Sequence, residues 1–231
     1  MCQEMRNTMQ DDHLRLKARQ VHEKLYEFFG ETEWRTPLPP IDELVSTILS
    51  QNTNDRNRDA AFAALVRRYP VWEDVITADT GELIQTIRTA GLANQKGPRI
   101  QNVLKEIQQE RGSLNLDFLG DLPFEDARRW LMHFKGVGPK TAAIVLQFSM
   151  NIPAFPVDTH VYRVTTRLGL TPKSMTVEQA HEHLEGLFDP ENYKTDHLNV
   201  IRLGREICLA RKPRCGQCPL QKICDYYQNS I

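Results

Sequence analysis

Lys140 and Asp158, eighteen residues apart, are the first residues of this chain whose types and setting suit covalent chemistry. Lys140 lies in Gly136-Val137-Gly138-Pro139-Lys140-Thr141, between a helix-like stretch ending near Trp130 and an apolar stretch running to Met150. Glycines permit backbone angles that other residues avoid and let a ligand come close to the main chain. Pro139 suits the first position of a helix, where its missing N–H has no partner. The N–H groups at such a start attract anions, and a phosphate diester can be held there without its sequence being read. A plain interhelical turn would use the same glycines, but the full run Gly-Val-Gly-Pro-Lys-Thr-Ala between two amphipathic stretches favours a phosphate grip. Lysine attacks electrophilic carbon only as the free amine, which a helix start and partial burial both favour. The residues leave equally open a Lys140 that binds phosphate as a cation.

Asp158 sits in Val157-Asp158-Thr159-His160, after the stiff approach Ile152-Pro153-Ala154-Phe155-Pro156. Its simplest role is an N-cap for the stretch that follows. A carboxylate there favours its ionised form. Beside a neutral amine it could accept a proton or stabilise positive charge developing on a sugar.

A second grouping is Cys208, Cys215, Cys218 and Cys224, with gaps of six, two and five residues. Thiolates this dense serve poorly as a disulfide framework and are well placed to wrap one metal centre. Four thiolates suit zinc or an iron–sulfur cluster, and only one Cys-x2-Cys knuckle is present. The loop also carries Arg211, Lys212 and Arg214, cations set to meet a polyanion. With four of five cysteines gathered here, the chain reads as one from a reducing compartment.

These residues need elements to hold them. Apolar residues recur at helical spacing over 14–29, 44–50, 60–69, 83–90, 100–109, 127–133, 141–150, 161–168, 177–188 and 198–209. No stretch alternates as a strand would, so the spacing predicts an all-α chain. The prolines of 36–40 exclude helix there. Gly91, Gly112, Gly120 and Gly169 fall where helix C-caps are wanted. The breaks at 36–40 and 152–156 predict a central helical domain, 36–151, and a discontinuous one, 1–35 plus 152–231, that holds the cysteine loop 208–224. With 231 residues, 40% of them hydrophobic, the chain can bury a real core. No apolar run approaches membrane-spanning length, and the polar N-terminus is unlike a secretory signal, so the expected location is the cytoplasm, at the nucleoid if the source is prokaryotic. A net charge of −1 argues against an indiscriminate polyanion binder. The basic residues Arg128, Arg129, Lys135, Lys140, Arg163 and Arg167, then Arg202, Arg205, Arg211, Lys212 and Arg214, nevertheless share the C-terminal half with the candidate chemistry. His181 and His183 read as solvated.

The Gly136–Ala142 run, Val157–His160 and the cysteine spacing together resemble the endonuclease III family of helix-hairpin-helix DNA glycosylases, over about Leu44 to Tyr226. The resemblance implies an all-α fold of two helical lobes with DNA bound across the cleft between them. It implies Lys140 as nucleophile, Asp158 as its partner, and a [4Fe–4S] cluster on Cys208, Cys215, Cys218 and Cys224. The hairpin residues Lys135, Gly136, Val137, Gly138 and Thr141 would contact DNA, with His160 orienting the loop around Asp158. Ile48–Asp55 resembles the loop that fills the hole left by a flipped nucleotide. The family's usual glutamine falls on Asn52, with Gln51 one place earlier, so either could face the orphaned base. Gly91–Lys96 resembles the opposing wedge loop, with Leu92 intercalating. The chain departs from the family in Phe134-Lys135, where Leu-Pro is common, and in Pro139 in place of an arginine. The implied activity is that of a bifunctional glycosylase and abasic-site lyase acting on oxidised pyrimidines. The expected partner is double-stranded DNA with damaged bases or abasic sites, engaged by a monomer. A monofunctional mismatch glycosylase and a non-catalytic DNA-binding protein remain the alternatives.

Overall fold

The computed structural model describes residues 2–32 and 35–229, with side chains from residue 11 onward. Every regular element among the described residues is helical, as the spacing predicts. In chain order these are α1 (Cys2–Phe29), α2 (Pro40–Ser50), α3 (Asp55–Arg68), α4 (Trp72–Thr77), α5 (Thr80–Thr86) and α6 (Ala93–Arg111). Then follow α7 (Phe124–Met132), α8 (Pro139–Ile144), α9 (Thr159–Leu168), α10 (Val177–Glu185), α11 (Tyr193–Glu206) and α12 (Asp225–Gln228). No described helix is long and apolar enough to cross a membrane. The chain forms two compact units, Pro37–Ile152 and Met1–Thr36 with Pro153–Ile231.

In the Pro37–Ile152 unit, α2 buries Ile41, Leu44, Val45, Ile48 and Leu49, the apolar face of a 3.6-residue repeat. The prolines before it do not exclude helix altogether: Pro40 is its first residue, a position that needs no N–H donor. Asn54 caps α3 by accepting from the Asn57 N–H at 2.9 Å, and Asp79 caps α5 by accepting from the Glu82 N–H at 2.9 Å. The six-residue α4 is too short to show a period and was not foreseen. α8 passes directly into a π-helical turn, Val145–Ser149, closed where the Ile152 N–H donates to the Leu146 carbonyl at 2.9 Å.

In the other unit, α1, α9, α10 and α11 surround Leu25, Phe155, Val161, Val164, Leu168, Leu184 and Leu203. The Phe155 ring stacks on Phe188 at 4.8 Å and meets Tyr193 edge-on at 5.5 Å. Gly112 and Gly169 end α6 and α9 in the left-handed region, as C-caps should. Gly120 instead lies inside a 3-10 turn, Asp117–Asp121. His181 and His183 are not solvated. The first is buried, and the second is half-buried with its Nε2 2.8 Å from the Leu170 carbonyl oxygen.

A half-buried pair joins α1 to α11, with His22 Nδ1 2.7 Å from the Asp196 carboxylate and Asp196 only 2% exposed. Burial pushes the Asp196 carboxyl up to about 6, against the opposing pull of His22. That is above the ordinary 3.8, so between about pH 4 and 6 the folded chain binds more protons than the unfolded one. Stability contributed by this group is therefore present below pH 4 and is lost as pH rises to 6. Asp196→Asn should remove a fall on the order of 2–3 kcal/mol across that window. Urea unfolding of both proteins at pH 4 and pH 6.5 measures it, and an unchanged difference between the two pH values would refute the assignment.

Candidate active site and cysteine-lined metal centre

The hairpin between α7 and α8 is built on aromatic packing. Trp130 in α7 meets Phe134 edge-on at 4.8 Å and Phe118 at 4.9 Å, which buries the first residue of the turn. The Val137 N–H donates to the Phe134 carbonyl at 3.0 Å and closes the turn, and the Val137 side chain is buried. Val137 is thus spent inside the protein rather than presented to a ligand, and Thr141 is buried too. Lys135 is exposed.

The two glycines differ. Gly136 has φ +90°, and a Cβ there would overlap Nε and Cδ of Arg99. Gly138 has φ −99° and nothing within 4 Å of a built Cβ. Only Gly136 is required by the fold; Gly138 leaves open space above the start of α8. Pro139 is the first residue of α8, and Lys140, half-buried, is the second. Ala142, Ala143, Ile144, Val145 and Leu146 are buried behind it, and α8 packs on α2.

The loop after α2 and the corner before α6 share this unit. Gln51 does not project freely. Its Nε2 donates to the Gly136 carbonyl at 3.0 Å, and its Oε1 accepts from Arg99 Nη1 at 2.6 Å. Asn52 is exposed with φ +52°. Leu92 is 46% exposed with φ +49°, an uncommon region for a large apolar residue. Beneath both loops Lys96 is 1% exposed and donates to the Leu49 carbonyl at 2.7 Å and the Ala90 carbonyl at 2.8 Å. Burial first, then the nearby Arg99 guanidinium, lowers its pKa to about 8. At pH 7 it remains mainly an ammonium ion. The sequence reading missed Lys96 and Arg99, because a cation's inward direction has no local signature.

In the second unit Asp158 caps α9, its Oδ1 accepting from the His160 and Val161 N–H groups at 2.8 Å each. The loop leading to it is fixed through the Pro156 carbonyl, 2.7 Å from His197 Nδ1. His160 Nδ1 lies 3.1 Å from Arg163 Nη2, which donates to the Gly204 carbonyl at 2.8 Å. Burial lowers the His160 pKa; Asp158 opposes the shift, while Arg163 and Arg205 add to it. The net shift favours the neutral imidazole, although a hydrogen bond to the Gly204 backbone opposes it. These contacts tie the first turn of α9 to α11.

The four cysteines are half-buried around one cavity, with Arg167, Ile207, Pro213, Gln221, Tyr226 and Tyr227. The cavity opens to solvent at its mouth. Among the described residues no three His, Cys, Asp or Glu side chains close on a single-ion position. Four thiolates lining one cavity suit zinc or an iron–sulfur cluster. Burial pushes the Cys218 thiol up to about 11, and the other three cysteines push it the same way. Such thiols would release protons on binding metal. Arg167 Nη1 donates to Cys208 Sγ at 3.2 Å and to the Leu209 carbonyl at 2.7 Å, while Nη2 donates to the Ala210 carbonyl at 3.0 Å. Arg211, Lys212 and Arg214 are exposed on the same loop. Other members of the basic set are internal or paired: Arg163 and Arg167 grip carbonyls, while Arg128, Arg129 and Arg202 pair with Glu125, Asp126 and Glu206.

Residues 45–190 match the HhH-GPD superfamily of base excision DNA repair proteins, and residues 208–224 match the iron–sulfur binding domain of endonuclease III. A protein of Arabidopsis thaliana provisionally named a DNA glycosylase is 40% identical over 79% of this chain, which spans 61% of that relative. Endonuclease III of Sulfolobus acidocaldarius is 34% identical, covering 81% of this chain and 82% of the relative. A solved structure of endonuclease III trapped as a covalent intermediate with DNA superposes with a TM-score of 0.82 at 28% identity, covering 94% of this chain and 98% of that one. The match over the cysteine loop assigns the cofactor as a [4Fe–4S] cluster. Helical architecture, hairpin and cysteine loop all fall within what these proteins share, and the chain belongs to the endonuclease III family of the HhH-GPD superfamily of base excision DNA repair proteins.

Proposed function

We propose that the chain is a bifunctional DNA glycosylase and abasic-site lyase acting on oxidised pyrimidines in duplex DNA. The observation that carries this reading is Lys140, an amine at the second residue of α8, beside open space above Gly138, in a member of this family. The damaged nucleotide leaves the stack. The Lys140 amine attacks C1′ and loses a proton, and the glycosidic bond breaks with its electron pair passing to the departing base. The nitrogen lone pair then expels O4′, which takes up a proton, leaving an iminium at C1′. Loss of a C2′ proton breaks the C3′–O bond and releases the 3′ phosphate; water hydrolyses the imine and regenerates Lys140. Asp158 is the partner carboxylate, accepting the amine proton or stabilising the cationic sugar, and the amide bonds to its Oδ1 hold it in orientation.

Phosphates are held at the Gly136–Gly138 hairpin and by Lys135, Arg211, Lys212 and Arg214. Gln51 is committed to Gly136 and Arg99, which favours exposed Asn52 as the residue facing the orphaned base and Leu92 as the wedge. Cys208, Cys215, Cys218 and Cys224 would hold the cluster, which when bound cross-links the loop and takes no part in bond breaking. The chain is expected to act as a monomer.

Borohydride added during turnover of a thymine-glycol duplex should give a covalent adduct with wild type and none with Lys140→Ala. Asp158→Asn should slow base release by about 10²–10⁴. An equal adduct in Lys140→Ala would reject the lysine, and base release without strand cleavage would favour a monofunctional enzyme. The glycines give a separate test. Gly138→Ala should leave stability within about 0.5 kcal/mol and weaken duplex binding by about tenfold. Gly136→Ala should cost roughly 1–3 kcal/mol through backbone strain and the Arg99 clash. Calorimetry with fluorescence anisotropy measures both, and a Gly138→Ala protein that binds like wild type would remove the hairpin from the interface.

A further inference from the structure

Lys96 and Arg99, three residues apart in α6, reach three segments that no backbone ladder joins. Leu49 is in the last turn of α2 and Ala90 ends a 3-10 turn, so their carbonyls are among those a helix end leaves without an internal partner. Lys96 answers both. Arg99 holds the Gln51 side-chain oxygen, and the Gln51 amide holds the Gly136 carbonyl, while the Arg99 stem fills the space a Cβ at residue 136 would need. The loop bearing Asn52, the corner bearing Leu92 and the hairpin before Lys140 are thereby tied to one helix. We infer that Lys96 and Arg99 are positioning residues that fix these three loops in the mutual register needed to enter duplex DNA at a lesion. This rests on the proposed DNA-repair function and concerns residues that touch neither DNA nor the reacting sugar. Loops that must enter one disturbed base step together tolerate only small errors in relative placement. Without the cations each would open separately.

The test uses the full chain with its cluster and three fluorescent probes: a duplex with one tetrahydrofuran abasic analogue, the same duplex undamaged, and the analogue-bearing single strand. Arg99→Leu and Gln51→Leu should each weaken binding to the lesion duplex by about tenfold and leave the other two within about twofold. The double variant should match either single one, because both break the same bridge. Arg99→Lys, which keeps the charge but lacks the fork, should not rescue. A loss of folded protein would lower all three affinities together; that pattern, or no change on the lesion duplex, overturns the inference. Lys96→Met should show the same selective loss. Where that variant does not fold, the Arg99–Gln51 pair decides alone. Wild type that prefers the lesion duplex yet never cleaves a natural abasic site would sink the catalytic reading and leave the positioning role standing. Wild type without that preference overturns the positioning role.

Discussion

A fully buried ammonium answering two helix-end carbonyls is the interaction on which the Lys140-bearing unit depends. Carbonyls buried without a donor cost about 1–3 kcal/mol each, and helix ends supply such carbonyls wherever the chain turns sharply. Water cannot reach Leu49 and Ala90 beneath these loops, so a long cationic side chain from α6 takes its place. The same helix then contributes Arg99, whose stem occupies the space left by the glycine at 136. Gly136 serves the fold and Gly138 leaves room for a ligand. Two glycines that look equivalent in sequence do different work.

The second unit repeats this solution with guanidinium groups. Arg163 holds the carbonyls of Gly204 and Cys208, and Arg167 holds those of Leu209 and Ala210 while touching the Cys208 sulfur. Asp158 and the cysteine loop are thus organised from one face of α9. The chain carries a net charge of −1 in a family that handles DNA. Several of its cations are structural; among those left exposed, Lys135 lies on the hairpin and Arg211, Lys212 and Arg214 on the cysteine loop, while others lie on helices elsewhere in both units. A local surface of that kind attracts a polyanion without the whole molecule being basic.

What could be read from sequence was what local chemistry fixes. The cysteine spacing, the cap at Asp158 and Pro139 at the start of α8 each depend on residues a few positions apart, and all three are present. What could not be read depends on partners distant in sequence. Lys96 meets Leu49 forty-seven residues away, and Arg163 meets Cys208 forty-five away. Nothing in a lysine or arginine signals that it points inward. The π turn after α8, the short α4 and the burial of His181 are likewise set by tertiary packing, which overrides a weak local pattern. Gln51 shows both limits at once: its position in the motif was legible, but its engagement by Arg99 and Gly136 was not.

The central chemical claim is that one amine, on α8, carries the sugar through base loss and strand cleavage. The most direct measurement is mass-spectrometric mapping of the protein–DNA adduct after borohydride reduction and digestion. The deoxyribose remnant is expected on Lys140 alone. A remnant on another lysine or on the N-terminal amine, with Lys140 unmodified, would contradict it.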